Sequence, residues 1–307
     1  MDLDLAALTD PALIQARAAA FLALKPACTR LLPARADAQQ MRAALAELAG
    51  VVGRVDPVGL RCCWDFTMFP LLIMAEAAAD LRRGGAGDAD GARGKAAAMP
   101  AFRSDAATEA LLACILAVQL RCGCSSEDQA LAVLKAAAPL ISLPREAAPE
   151  ELRLLAFRCV AAAVQQPAPA AGAGAEGSAA GGTADAFDLE AFAASLVAQQ
   201  LRPSQQLLAG EGMAPLAGAM IHACLVAAEQ EVAAAGLGSK GVRTAALAAL
   251  RALMGAAATP QSLTPFLPGI VSGLAKQLLA SGGWLVRCAC AGVAVKEAGG
   301  GGGTSHC

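Results

Sequence analysis

The sequence predicts an all-α protein, and three observations carry that expectation. Hydrophobic residues fill 56% of the 307 positions, yet aromatics make up only 3% and tyrosine is absent. Packing must then rest on Ala, Leu and Val, which suit closely approaching helices better than a pleated sheet. Apolar residues also recur at helical spacing in segment after segment, with no strand alternation competing. Finally, helix-starting residues stand just ahead of several of those segments.

Asp10 reads as the N-cap of a helix from Pro11 to Leu32, with Leu13, Ala16, Ala20, Leu24 and Cys28 on its apolar side. Pro26 is expected to kink or split it. Asp37 to Val52 repeats the pattern through Met41, Leu45 and Leu48. Asp56-Pro57 opens a third helix reaching Met74 or Leu81, apolar on every side from Trp64 to Met74 and broken at Pro70. Leu111, Ile115 and Val118 mark the next helix, Glu127 to Ala137 a short one behind Ser125-Ser126, and Pro149 with Glu150-Glu151 another, its acids well placed at the N-terminus. Further helices are expected around Leu189, Phe192 and Leu196, then Pro215 to Val232, Val242 to Met254, Ile270 to Leu279 and Trp284 to Val295. Leu263 to Leu274, with Pro265, Pro268 and Gly269, reads as a corner between two of them.

The sum is about ten helices of roughly 12 to 25 residues, the lengths of helical hairpins. Pairing at about 40 to 47 residues per repeat describes a HEAT/armadillo-like α-solenoid, with a compact helical bundle as the alternative. The expected division is helical repeats over 1–165 with a low-complexity insertion at 83–100, an Ala/Gly/Pro linker at 166–186, further repeats over 187–297, and a Gly-rich tail at 298–307.

Charge and composition narrow the function. Basic residues number 24 against 26 acidic, and no basic run interleaves with aromatics, so a nucleic-acid footprint is not expected. Two histidines, His222 and His306, leave little acid/base chemistry near neutrality. The charge-free run from Ala252 to Ala275 contains Pro260, Pro265 and Pro268, too many breakers for a membrane span. Met1 to Asp4 lacks the features of a signal peptide, and many of the 11 cysteines lie in apolar helical patterns. Buried thiols in a reducing compartment are expected: the cytoplasm, with the nucleus as a second site.

Motifs with chemical meaning are weak. Gly236 to Gly241 and Gly172 to Gly177 both fit G-x-G-x-x-G, but neither follows an expected strand. Ala89 to Ala96 lacks the first glycine and the hydroxyl of a phosphate loop. Cys122-Gly-Cys124, Cys288-Ala-Cys290 and His222-Ala-Cys224 place ligands two apart, which on a helix point about 200° from each other. His222 itself falls in an apolar pattern and reads as a core or groove histidine, and Trp284 as a packing anchor. No catalytic, metal-binding or cofactor-binding residue is expected.

Three stretches carry a resemblance in order and spacing: Leu24-Lys25-Pro26-Ala27-Cys28, Phe69-Pro70-Leu71 and Phe266-Leu267-Pro268-Gly269-Ile270. Together with Glu150 to Leu154 and Val242 to Leu247 they are similar to the N-terminal part of the Tel-two-interacting protein one family. The resemblance implies a HEAT-repeat scaffold of the triple-T co-chaperone complex. Its implied partners are a Tel-two-type subunit, a second Tel-two-interacting subunit, the ninety-kilodalton heat-shock chaperone machinery, and kinase clients related to phosphatidylinositol 3-kinase (TOR, ATM, ATR). Members of that family are several times longer, so the chain would be an N-terminal arm, its Gly-rich end reading as an insert or an early stop. Pro26, Phe69, Pro70, Phe266, Leu267, Pro268, Gly269 and Ile270 are expected as structural corners without chemistry. Two other readings stay open: an unrelated armadillo-like adaptor in transport or trafficking, and a small helical enzyme using His222 with a nearby thiol.

Overall fold

Capping chemistry starts most of the helices. The computed structural model describes residues 10–83, 99–166, 202–203, 213–233, 239–256 and 260–276. In it the Asp10 carboxylate accepts from the Ala12 N–H at the head of α1 (Pro11–Ala34), and Asp37 accepts from Gln40 at the head of α2 (Ala38–Arg54). Asp56 does the same for α3 (Pro57–Cys62) through Gly59, and Ser126 for α6 (Glu127–Ile141) through Gln129. Each cap satisfies an N–H that the first helical turn leaves without an intrahelical partner. Between α3 and α6 run α4 (Trp64–Arg83) and α5 (Asp105–Cys122); beyond come α7 (Glu150–Ala163), α8 (Met213–Ala233) and α9 (Lys240–Gly255). A 3-10 segment, Pro260–Phe266, leads into α10, helical over 267–276.

The protein is all-α. A two-residue antiparallel bridge, Gln165 opposite Pro203 and Gln166 opposite Arg202, is the extended exception among the described residues. It takes in Gln166, the first residue of the expected linker.

Element contacts define two rows. One row is α2, α5, α7 and α9, each touching the next; the other contains α4, α6 and α8, with α1 at its end. Successive pairs α1–α2, α4–α5, α6–α7 and α8–α9 connect the rows. Helices in the middle of the array meet neighbours on several sides, so α5 buries Leu111, Leu112, Cys114, Ile115, Leu116 and Val118, and α7 buries every residue from Leu152 to Phe157. A one-sided apolar stripe would not suffice there. One continuous core joins all of them, from Ala20 to Ile270.

Two prolines lie inside helices that continue through them. Pro26 does not split α1, which continues through both Pro26 and Pro33, and Pro70 does not break α4. An interior proline costs a helix about 3 kcal/mol. Burial on either side offsets it: Leu24, Ala27 and Leu31 around Pro26, and Met68 and Leu71 around Pro70, are essentially inaccessible. The expected third helix is instead divided at Cys63, whose N–H reaches back to both Gly59 and Leu60 carbonyls. Pro26, Phe69 and Pro70 are therefore helix-interior residues and not corners.

The Leu263 to Leu274 stretch passes from 3-10 to α-helix partway along. The junction falls between Phe266 and Leu267, so Pro268 and Gly269 occupy the first turn of α10. Gly218 of α8 lies directly under the Phe266 ring; a Cβ there would sit 2.6 Å from it. Gly273 faces Leu225 in the same way, at 2.8 Å, and Ile270 is buried. Two glycines thus let α10 and its approach lie close on α8. The expected helices around Leu189 and Trp284, the insertion between 84 and 98, and the Gly-rich end lie outside the described residues.

Candidate functional site

Exposed apolar side chains gather where α1 meets α4. Ile14, Arg17, Phe21, Lys25, Cys28 and Leu32 recur three or four residues apart and so share one side of α1. Ile14 is 53% exposed and Leu32 65%. Phe21 meets Phe66 of α4 with ring centroids 4.9 Å apart and planes inclined at 57°, an aromatic pair in its favoured tilted arrangement. The Lys25 ammonium stands 5.8 Å from the Phe21 ring centre, within cation–π range. Phe69, one turn along α4, is 66% exposed. The resemblance picked out Pro26, Phe69 and Pro70; the structure adds Phe21 and Phe66, which helical periodicity alone assigns to no face in particular.

On the other side of α1 lies a hollow of about 420 Å³, lined by Ala16, Ala19, Ala20, Ala23, Val51, Arg54, Val55 and Asp56. Four alanines leave room where larger residues would fill the gap between α1 and the end of α2. Gly59 of α3 approaches α1 so closely that a Cβ would be 2.5 Å from the Ala16 carbonyl oxygen. Asp56 already accepts from Gly59 N–H at 3.0 Å, so the hollow offers Arg54 and apolar wall rather than a set of convergent catalytic groups.

A third feature is a buried polar node. Arg153 of α7 pairs with Glu231 of α8, their side chains only 3% and 1% exposed. The other Glu231 oxygen accepts from Ser239 N–H at 2.7 Å, at the entrance to α9. Ser239 Oγ accepts from Val242 N–H and donates to Glu150 at the start of α7. Three helices are tied through one carboxylate, and the charges are spent on each other.

The remaining titratable groups do not converge. His222 is exposed on α8 and not in the core, while Cys224 two residues on is fully buried and faces inward. The structure does not bring them together. All eight described cysteines are free thiols. Burial pushes Cys28 up to about 11 and Cys122, Cys124, Cys159 and Cys224 each up to about 12; it raises Cys114 as well. Such thiols stay protonated and act as small apolar residues. Cys122 ends α5 and Cys124 packs just past it, separated by Gly123. Among the described residues no group of three His, Cys, Asp or Glu could hold a metal, and no helix is long and apolar enough to cross a membrane.

Of the expected corner residues, Phe266 and Ile270 pack inward on the core, whereas Leu267, Pro268 and Gly269 are exposed. Both G-x-G-x-x-G glycine pairs that open their motifs, and Trp284, Cys288 and Cys290, lie outside the described residues. The fold and these sites define an all-helical protein of stacked helix pairs with an exposed apolar surface at one end. Comparison with known proteins finds no matching family model, no matching curated protein and no matching solved structure.

Proposed function

We propose that this chain is a non-catalytic HEAT-type α-solenoid scaffold, acting as the triple-T subunit that its motifs resemble: an arm that holds Tel-two-type partners and kinase clients for chaperone-assisted maturation. One observation carries the reading. Four helix pairs stack in two rows, α1–α2 to α8–α9, and Ile14 and Leu32 of the end pair stand in solvent, as does Phe69 of α4. Stacked pairs bury their stripes against neighbours, and large apolar residues left over are characteristic of protein contact surfaces. Buried, protonated thiols and an internally neutralised Arg153–Glu231 pair agree with a structural rather than a chemical role for those groups.

Co-expression of the full chain with a Tel-two-type subunit, followed by size-exclusion chromatography, tests this. A co-eluting complex that also retains a kinase client is the expected result. A folded chain that holds neither would overturn the co-chaperone reading and leave the all-helical fold.

A further inference from the structure

We infer that the α1–α4 surface is a two-fold interface between copies of this chain, each α1 lying over the α4 of the other copy. The inference does not depend on the co-chaperone reading. Charge decides the occupant. α1 contains no acidic residue from Pro11 to Ala34, and the exposed bases on the side that carries Phe21 are Arg17 and Lys25. Arg30, on another side, is already paired with Glu47. α4 has the opposite sign. Asp65, Phe69 and Glu76 are four and seven residues apart, so two exposed acids flank the exposed Phe69 on one stripe. Among the described residues none of Arg17, Lys25, Asp65 and Glu76 is in an ion pair. The surface is therefore an apolar seam with one basic edge and one acidic edge. A partner of a single sign, an anionic bilayer included, is attracted by one edge and repelled by the other. A second copy turned through 180° about the seam brings acid to base at both edges.

The contact between α1 and α4 sets the register. The Cys63 thiol, just ahead of α4, donates to the Arg17 carbonyl at 3.6 Å, and Phe21 meets Phe66 with ring centroids 4.9 Å apart. The two helices thus run in the same sense past this point. At the α-helical rise Arg17 stands about 6 Å ahead of Phe21, and Asp65 about 1.5 Å ahead of Phe66. With the two-fold axis along the seam, Arg17 and Asp65 of the second copy come within about 4.5 Å of one level, inside the reach of an arginine side chain. Lys25 and Glu76 both follow the aromatic pair and form the second match, at the far end. Between them the Phe21–Phe66 pairs of the two copies and the exposed Phe69 close the seam, which Ile14 and Leu32 extend along α1. An axis across the seam would instead set α1 on α1 and base on base, so the charges select the axis along it. About ten side chains make up the surface, fewer than the about 20–30 residues a side of a standard interface, and the dimer is accordingly a weak one.

The test is analytical ultracentrifugation of the full chain over a range of concentrations, with two charge-reversed variants. R17E/K25E makes both edges acidic, and D65K/E76K makes both basic. All four positions are exposed, so each variant keeps the fold, which an unchanged far-ultraviolet circular dichroism spectrum verifies. The parent is expected to move from monomer to dimer mass as concentration rises. Each reversal turns two matched pairs, each present twice by symmetry, into repulsions and should weaken self-association at least about tenfold. An equimolar mixture of the two variants restores opposite signs at both edges and should dimerise again. Phe69→Asp, at an exposed position on the seam, should leave the chain monomeric, while Val271→Asp, exposed on α10, should not. A parent that stays monomeric throughout, charge variants that dimerise like the parent, a mixture that remains monomeric, or association that survives Phe69→Asp would each overturn the inference. So would growth past the dimer, which marks a head-to-tail contact. A monomer that uses Phe69 to hold a Tel-two-type subunit or phosphatidylserine-containing vesicles would overturn it as well. A dimer without a Tel-two-type complex would refute only the proposed function.

Discussion

Replacing Glu231 with Gln should be among the most damaging single changes in the chain that alter no volume. The substitution removes one charge from a pair whose side chains are 3% and 1% exposed, leaving the Arg153 guanidinium buried without a counter-ion. Its Nε already lacks a partner, so it cannot redistribute its donors easily. Breaking a buried pair from one side costs about 3–5 kcal/mol, which at about 2–4 °C per kcal/mol lowers the melting temperature by roughly 6–20 °C. A second variant separates the pair from its surroundings. In R153M/E231L both charges go, an exchange that is often neutral, but Ser239 N–H then loses its acceptor at the head of α9, a loss of about 1–3 kcal/mol. The double variant should therefore be more stable than Glu231→Gln alone. Urea unfolding followed by far-ultraviolet circular dichroism measures both. A Glu231→Gln chain within about 1 kcal/mol of the parent, or a double variant no better than the single, would refute the reasoning.

Glycine substitutions should divide by environment. Gly123 ends α5 at φ 69°, ψ −175°, a region open in practice only to glycine, so Gly123→Ala should destabilise by about 1–3 kcal/mol in the same urea assay. Gly59→Ala places a methyl 2.5 Å from the Ala16 carbonyl oxygen and 2.9 Å from the Ala20 Cβ, and should cost about 1–3 kcal/mol by pushing α1 off α3. Gly53→Ala, within α2 and with nothing inside 4 Å of the new methyl, should instead raise stability by up to about 1 kcal/mol. The thiols set an alkaline limit. Cys122, Cys159 and Cys224 sit near 12 when folded against an ordinary 9.0, so the unfolded chain releases protons first as pH rises. Stability from these groups is complete below pH 9 and should fall steadily between pH 9 and 12, read as a declining urea midpoint; a flat profile there would show that the thiols titrate alike in both states.

Helix existence and helix starts were legible because capping is local. Asp10, Asp37, Asp56 and Ser126 each serve an N–H two or three residues ahead, and Pro11, Pro57 and Glu150 follow the same short-range rules. Alanine and leucine content likewise announced helix-on-helix packing. The same local reading allowed a split at Pro26 and placed a break at Pro70, neither of which occurs, since it could weigh the cost of an interior proline but not the burial of Leu24, Leu31, Met68 and Leu71 that offsets it.

What tertiary structure decided is which stripe each helix turns inward and what meets it there. His222 and Cys224 share one apolar pattern, yet one is in solvent and the other in the core. Phe21 and Phe66 lie in separate helices, and only the row arrangement makes them a pair. Arg153 and Glu231 are 78 positions apart, and nothing within a few residues of either marks the other as its partner. Composition, spacing and caps act over one or two turns and so fix that this chain is helical. The docking of α1 on α4, and the joining of α7, α8 and α9 through one carboxylate, depend on contacts between distant segments, whose free energy exists only once the rows have assembled.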